Sequence, residues 1–155
     1  MSISEVQIAI SDGADHAALN ELYVSWHYHA GIASSDTVFV ATHRNRTIGL
    51  VRRTEEQGAL MLRGMHVDPD FQRQGVGTRL LQAFVADLPA RECFCIPFDH
   101  LIAFYGQSGF AVVPLRESPP FLAERVRQYS REGHRVLLMR RPASLNETRA
   151  ATLAR

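Results

Sequence analysis

Apolar and polar residues alternate along Glu5–Ser11 (EVQIAIS), the period of a strand. The period then changes. SDGADHAALNELYVSW reads as a turn followed by a helix, with Leu19, Leu22, Tyr23 and Trp26 at helical spacing. HYHAGIASSD is a polar, glycine-containing connector. TVFVATH (37–43) and TIGLVRRT (47–54) are two strands joined by RNR, which predicts a hairpin. EEQG is the next turn, and ALMLRGMHV (59–67) is a third strand, so the three form a meander. After DPDFQRQGVG the spacing predicts a helix over 76–88, with Val76, Leu80, Leu81, Phe84, Val85 and Leu88 on one apolar face. RECFCIPF (91–98) has the pattern of a buried strand. DHLIAFYGQS (99–108) is a short helix ended by Gly109. FAVVPL (110–115) and HRVLLMRR (134–141) are two more strands, separated by a loop that enters a helix at or after Pro120.

The order is β-α-β-β-β-α-β-α-β-(α)-β. It specifies the α/β class in the α+β sense, a mixed sheet with an antiparallel meander first and a crossover helix later. The helix at 76–88 joins two strands that can lie parallel, which is what a crossover does. Residues 1–141 read as a single domain. Beyond Pro142 the β pattern is lost, and the tail 142–155 is either helical, with SLNE as a capping box, or disordered.

Composition narrows the function classes. A net charge of +1 gives no general pull toward nucleic acid or an anionic membrane. The start, MSISEVQIAISDG, lacks the basic and apolar regions of a signal peptide, and no apolar run approaches the roughly 18 residues of a spanning helix. Cys93 and Cys95 lie too close together for a useful cross-link, which predicts a reduced, cytosolic protein. They fall on one face of a strand, have no partners at metal-ligand spacing, and read as small buried hydrophobes; no metal is expected. All 17 Lys and Arg residues are arginine. Genomic base composition accounts for that, and its chemical consequence is that no lysine is available for a P-loop, a Schiff base or self-acylation.

FQRQGVGTRLL (71–81) is the least generic stretch. A strand, a loop and then a helix beginning near Gly75 leave free amides at the helix N-terminus, and those amides with the helix dipole favour an anion. Glycine at 75 and 77 removes Cβ atoms that would hold a phosphate away, and Arg73 can add charge at the rim. A phosphate cradle is one reading; a strand-to-helix turn with glycines for packing is the other. The dinucleotide fingerprint is excluded because Leu80 stands where its third glycine would be. A P-loop is excluded because it needs a lysine.

Gln72-Arg73-Gln74-Gly75-Val76-Gly77 resembles the Gln/Arg-x-x-Gly-x-Gly/Ala signature of the GNAT superfamily, the acetyl-CoA-dependent N-acetyltransferases. MHVDPDFQRQGVGTRLLQAF holds strand, V-D-P exit, signature and helix in family order, and AFYGQSGF resembles the family's second characteristic region. The resemblance covers about Glu5–Arg141 in topology and is specific over Leu62–Leu88 and Leu101–Phe110. It implies the GNAT fold: a mostly antiparallel sheet of six or seven strands flanked by helices, with two strands splayed to bind coenzyme A.

The resemblance also implies roles by position. Gln72, Arg73, Gln74, Gly75, Val76, Gly77 and Thr78 would form the pyrophosphate loop, with the amides from Arg73 through Thr78 holding the anion. Met65 and Val67 would pair their backbone with the pantetheine arm, and an amide near Val67 would polarise the thioester carbonyl. Tyr105 matches the tyrosine that protonates the departing thiolate; a phenol of pKa about 10 is protonated at neutral pH and comparable in strength to a thiol. Read without the family, Tyr105 is a packed core tyrosine with a satisfied hydroxyl. The reaction implied is direct attack of an amine, with acetyl-CoA as co-substrate and no covalent enzyme intermediate.

Two positions depart from the pattern. Many members carry an asparagine seven residues before the tyrosine, where this chain has Phe98 followed by Asp99, a residue able to cap the helix. Positions that supply a Glu or His base in some members are Arg63 and Met61, neither of which can serve. His66 adjoins Val67, with its facing undetermined by alternation and open to change by a bulge; a water chain or an amine arriving neutral is the alternative. The acceptor pocket would draw on Trp26, His27, Tyr28 and His29, and on Glu117 beside Pro119 and Pro120, a set suited to a small amine with an apolar body. Against that, Trp26 and Tyr23 read as helix-face core, the histidines as solvated loop residues, and Glu55 with Glu56 as a solvated turn.

A cytosolic N-acetyltransferase acting on a small-molecule primary amine is the expectation. Acetylation of a protein N-terminus or lysine, and a non-catalytic acyl-CoA-binding module, are the alternatives. A homodimer is compatible with the resemblance.

Overall fold

Two-residue turns shape the first half of the chain. Arg44 (φ 50°) and Asn45 (φ 66°) are both left-handed, as are Gln57 (φ 48°) and Gly58 (φ 81°). That pair of conformations matches the right-handed twist of flanking strands and closes tight hairpins. The computed structural model describes residues 2, 5–29 and 31–145. The chain divides into two compact units, Met1–Glu56 with Leu62–Asp87 and Gln57–Met61 with Leu88–Arg155. The strand β4 contributes to both.

In the first unit β1 (Val6–Ile10) precedes a 3-10 turn at Gly13–Asp15, whose cap is the Asp12 carboxylate accepting from the Ala14 amide. Helix α1 (His16–Ser25) follows and buries Leu19 and Tyr23. β2 (Thr37–His43) runs antiparallel to β1, with Val6 opposite His43 and Ile10 opposite Phe39. β3 (Arg46–Glu56) pairs antiparallel with β2, with a shift of register between Ala41 and Thr42. Then come β4 (Ala59–Val67), a 3-10 turn at Pro69–Phe71 and helix α2 (Val76–Ala86). Of the apolar face expected over 76–88, Val76, Leu80, Leu81 and Phe84 are buried and Val85 is half-buried, while the helix stops at Ala86 and leaves buried Leu88 beyond its end; Phe84 packs its ring 5.5 Å from that of Phe39. Full burial of one such side chain contributes about 1.5–3 kcal/mol, so this face holds the helix to the sheet.

In the second unit β4 pairs in parallel with β5 (Cys93–Cys95) at two positions, Leu60 with Cys93 and Met61 with Phe94. β7 (Met139–Arg141) runs antiparallel to β5, and β6 (Ala111–Val112) antiparallel to β7. A 3-10 turn at Asp99–Leu101 leads into α3 (Ile102–Gly106), and α4 (Pro120–Arg131) begins with its proline in the first turn, where a missing N–H costs nothing. Met61, Phe94, Leu122, Val126 and Leu138 form this unit's core.

The sheet is mixed and seven-stranded, in the order β1-β2-β3-β4-β5-β7-β6, which agrees with the class and strand number expected. Three strands are shorter than their patterns. The segments 91–98, 110–115 and 134–141 pair regularly only over 93–95, 111–112 and 139–141. Pro97 and Pro114 are the reason: each lacks the N–H that would continue a ladder. Single contacts replace it, with the Leu137 amide donating to the Pro97 carbonyl at 3.2 Å and Phe98 bridging Val136. The turn expected at Glu55–Gly58 is confined to Gln57 and Gly58; Glu55 and Glu56 belong to β3. Residues 143–145 are helical. Glu147, which the capping box pairs with Ser144, lies outside the described residues, as does the remainder of the tail.

Candidate active site

The loop that follows β4 is built from its own side chains. Asp68 is buried; one carboxylate oxygen accepts from the Asp70 amide at 2.9 Å and the other from Arg46 Nη2 at 2.8 Å. Its amide donates to the Ile48 carbonyl at 2.8 Å. The Arg46 guanidinium sits 5.2 Å over the Phe71 ring, which also meets His43. Gln72 Nε2 donates to the Val67 carbonyl at 3.0 Å, and Gln74 Nε2 reaches the Asp70 carbonyl at 3.4 Å. These two glutamines thus brace the loop from within.

Backbone conformation then turns the amides outward. Arg73 (φ 62°) and Gly75 (φ 85°) are left-handed. Alternation of left-handed residues with their neighbours lines up successive N–H groups around an anion-sized concavity. Gly75 is the N-cap of α2, and no side chain caps the helix. The first bond of the helical ladder is the Arg79 amide donating to the Gly75 carbonyl at 3.1 Å, so the amides of Val76, Gly77 and Thr78 precede any helical partner. Gln72, Arg73, Gln74 and Gly75 are exposed, whereas the Val76 side chain is buried. An uncapped, glycine-opened helix start with an arginine at its rim fits a phosphate group.

Next to this loop, β4 changes character. Leu60, Met61 and Leu62 are buried, while every residue from Arg63 to Val67 is half-buried, Met65 and Val67 included. Gly64 has φ +66°, and a Cβ there would lie 2.6 Å from the Tyr23 hydroxyl. That hydroxyl donates to the Gly64 carbonyl at 2.7 Å. The kink decides what alternation left open, the facing of His66. Its ring meets Tyr28 at 4.7 Å between centroids and Tyr23 at 5.9 Å, and Tyr23 and Tyr28 meet each other at 4.9 Å. Burial lowers the His66 pKa below the ordinary imidazole value, so the ring is neutral at neutral pH. Arg63, on the same strand, is engaged with Glu56 at 2.9 Å.

Behind the tyrosines lies an ion pair that the sequence reading missed. Arg52 and Asp36 are 3% and 7% exposed, and Arg52 Nη1 donates to Asp36 Oδ2 at 2.9 Å and to the Gly31 carbonyl at 2.7 Å. Arg52 Nη2 donates to the Tyr28 hydroxyl at 3.3 Å. Asp36 Oδ2 also accepts from the Ala33 amide. Among the described residues, Asp36 Oδ1 and Arg52 Nε are buried atoms with no hydrogen-bond partner. A signal for Arg52 existed: it lies two residues from buried Leu50 on β3, hence on the same strand face.

Of the acceptor-pocket candidates in this unit, Trp26 packs against the cluster of Leu19, Tyr23, Val38 and Leu50. His27 (φ 63°) and His29 are exposed. Glu117 belongs to the other unit, exposed in the turn Leu115–Glu117.

Also in the second unit, α3 carries Tyr105, which is 5% exposed, its ring edge-on to Phe104 and Phe110. Burial, with Cys95 nearby, pushes its phenol well above the ordinary range, so it holds its proton at any physiological pH. Cys93 and Cys95 are buried thiols outside any disulfide, and burial pushes the Cys95 thiol up as well. Phe98 is 49% exposed and stacks on His100. Asp99 does not cap the helix: it sits inside the first turn and pairs with Arg135 Nε at 3.1 Å. Among the described residues no group of His, Cys, Asp and Glu could hold a metal ion, and no helix is long and apolar enough to cross a membrane.

Comparison with known proteins bears on this arrangement. The family model of the acetyltransferase (GNAT) domain matches residues 34–112, which include β2, β4, the loop, α2 and Tyr105. No curated protein matches the sequence. Among solved structures, N-acetylglutamate synthase from Neisseria gonorrhoeae, complexed with coenzyme A and N-acetyl-glutamate, superposes with a TM-score of 0.61 at 18% identity over 88% of this chain. The chain spans about a third, 34%, of that protein's length. The ribosomal-protein-S18-alanine N-acetyltransferase from Escherichia coli gives a TM-score of 0.61 at 17% identity, covering 89% of this chain and 94% of its own. A putative acetyltransferase from Salmonella typhimurium, solved with acetyl-CoA, gives 0.57 at 17% identity over 71% and 82%. At such identities the likeness is one of fold.

Proposed function

The chain belongs to the GNAT acetyltransferase family, and from that premise we propose that it transfers acetyl from acetyl-CoA to a primary amine on a small molecule, with residues 1–141 acting as one catalytic domain. The observation that carries this reading is the helix start at Gly75: left-handed, uncapped, and directly downstream of the half-buried end of β4.

In this reading the amides from Arg73 through Thr78 hold the pyrophosphate of coenzyme A, and Arg73 adds charge. Gln72 and Gln74 keep the loop in shape. The backbone at Met65 and Val67 lies alongside the pantetheine arm. The parallel ladder of β4 with β5 covers only Leu60 and Met61, which supports backbone groups further along β4 being available for that purpose. The Val67 amide polarises the thioester carbonyl, so negative charge developing on oxygen meets a fixed donor. Tyr105 gives its proton to the departing sulfur. Burial keeps this phenol protonated at physiological pH, so its proton is in place when the thiolate forms, and it also makes the phenol a weaker acid than a free tyrosine. The acceptor's apolar body would rest against Trp26 and the 27–29 segment. The thiols of Cys93 and Cys95 are in keeping with a reducing, cytosolic setting. A homodimer is compatible with the reading and would be counted by sedimentation.

The test is calorimetric titration with acetyl-CoA, with NADH and ATP as controls, followed on the same sample by thiol release across a panel of amines. Selective binding of acetyl-CoA with amine-dependent thiol release is the expected result. Absence of acetyl-CoA binding would reduce FQRQGVG to a turn and sink the proposal. Release with an alanine-ended peptide alone would reassign the acceptor to a protein N-terminus.

A further inference from the structure

We propose that His66 is the base that takes the proton shed by the acceptor amine, and that the buried Arg52–Asp36 pair positions it through Tyr28. The inference rests on the acetyl-transfer reading and assigns the one role which that reading leaves vacant.

Position comes first. His66 lies between Met65 and Val67, the two residues whose backbone would carry the pantetheine arm and polarise the thioester. It is half-buried, so its imidazole is neither sealed in the core nor freely solvated. The kink at Gly64, fixed by the Tyr23 hydroxyl, sets its facing. The other ionisable residue on this stretch of β4, Arg63, is committed to Glu56 and cannot accept a proton.

Orientation comes from the layer behind it. Tyr23 from α1 and Tyr28 from the 26–36 connector hold the ring on two sides. Tyr28 is in turn held by Arg52, which bonds its hydroxyl and lies 6.0 Å from its ring centroid. Arg52 is aimed by Asp36 and by the Gly31 carbonyl. A guanidinium that grips Asp36, Gly31 and Tyr28 at once ties these three residues to β3. Arginine's planar fork can do this and an ammonium cannot. The charged and titratable groups facing His66 are therefore the two phenols, with Arg52 and Asp36 one layer behind. No carboxylate touches the imidazole among the described residues, which accords with its lowered pKa.

The amine nitrogen forms a bond to the carbonyl carbon and the carbon–sulfur bond breaks. The proton leaving nitrogen goes to His66, and the proton on Tyr105 goes to sulfur. Solvent then returns one proton from His66 to Tyr105, and the products are an amide and free coenzyme A.

The experiment compares wild type with His66→Gln and Arg52→Lys, using acetyl-CoA and whichever of phenethylamine, L-glutamate and an alanine-ended peptide gives fastest thiol release. His66→Gln should lower kcat by about 10²-fold while acetyl-CoA affinity stays within about twofold. It should also remove the acidic limb of the kcat profile at saturating amine, which in wild type lies below the ordinary histidine pKa. Arg52→Lys should lower kcat about tenfold and move that limb upward as the imidazole loses its fixed surroundings. An unchanged kcat and acidic limb in His66→Gln overturns the assignment of the base. A lowered melting temperature in Arg52→Lys, with kcat and the limb unmoved, overturns the positioning role. Wild type that binds no acetyl-CoA, or releases no thiol with any of the three amines, overturns the acetyl-transfer reading and this inference with it, an outcome distinct from active wild type beside an equally active His66→Gln.

Discussion

The Tyr23 hydroxyl donates to the Gly64 carbonyl at 2.7 Å and occupies the space a Cβ on residue 64 would need. One contact thus both demands glycine and rewards tyrosine. Gly64→Ala faces this overlap with the hydroxyl and a left-handed φ of +66° as well. It should destabilise by about 1–3 kcal/mol and lower acetyl transfer at the same time, because the kink aims the end of β4. Tyr23→Phe removes only the bond and should cost about 0.5–1.5 kcal/mol, the net worth of a hydrogen bond to a half-buried carbonyl. Urea denaturation of both variants checks the stability losses, and thiol release checks the transfer.

Arg73 and Gly75 should respond in opposite directions. Arg73→Gly relieves a left-handed non-glycine residue and should stabilise the fold by up to about 1 kcal/mol, while removing a cation from the loop. Acetyl-CoA should then bind more weakly, with a shallower dependence on salt. Gly75→Ala places a Cβ at φ 85° and should lose about 1 kcal/mol of stability and roughly tenfold in acetyl-CoA affinity. Calorimetry beside thermal melts separates the two quantities.

Tyr105→Phe keeps the ring packing against Phe104 and Phe110 and removes the dissociable proton. Turnover should fall by about 10²-fold with the acetyl-CoA dissociation constant unchanged. Equal turnover in the variant would remove Tyr105 from the chemistry and leave it a core residue.

Alkali should unfold this protein through its tyrosines. Burial raises the Tyr23 and Tyr105 phenols well above their ordinary value of 10.0. The folded chain keeps both protons where the unfolded chain releases them, so stability is undiminished by these groups below pH 10 and falls above it. The slope is about 1.4 kcal/mol per pH unit for each phenol until its folded pKa is reached. Guanidinium midpoints measured from pH 9 to 12 should show the decline, with Tyr23→Phe reducing the slope by one proton.

The Arg52–Asp36 pair predicts a non-additive cycle. Asp36→Leu alone strands a buried guanidinium and should cost about 3–5 kcal/mol. Arg52→Met alone strands a carboxylate at similar cost. The double substitution should recover most of the loss in stability without recovering activity, since Tyr28 then lacks its support.

Pattern alone located much of this architecture. β2 and β4 fall at 37–43 and 59–67 as their periodicity requires, and α2 starts at Val76 as its apolar face requires. What failed was governed by groups that a local period does not contain. Pro97 and Pro114 truncated strands whose apolar content was sufficient for longer ones. Arg52 meets Asp36 across 16 residues of sequence, a distance no window of alternation spans. The facing of His66 depends on a positive φ at Gly64, which resets the count of alternating sides. Glu56 joined β3 because the hairpin closes over Gln57 and Gly58 alone.

Val76 sits within the signature yet is 1% exposed, its side chain in the core while its amide opens the helix. On the proposed reading, ligand recognition and structural integrity therefore meet at this residue. On that reading, retuning the enzyme for a different acyl carrier works through Arg73, Gly77 and Thr78, leaving Val76 as the fixed hinge pin around which the others can vary.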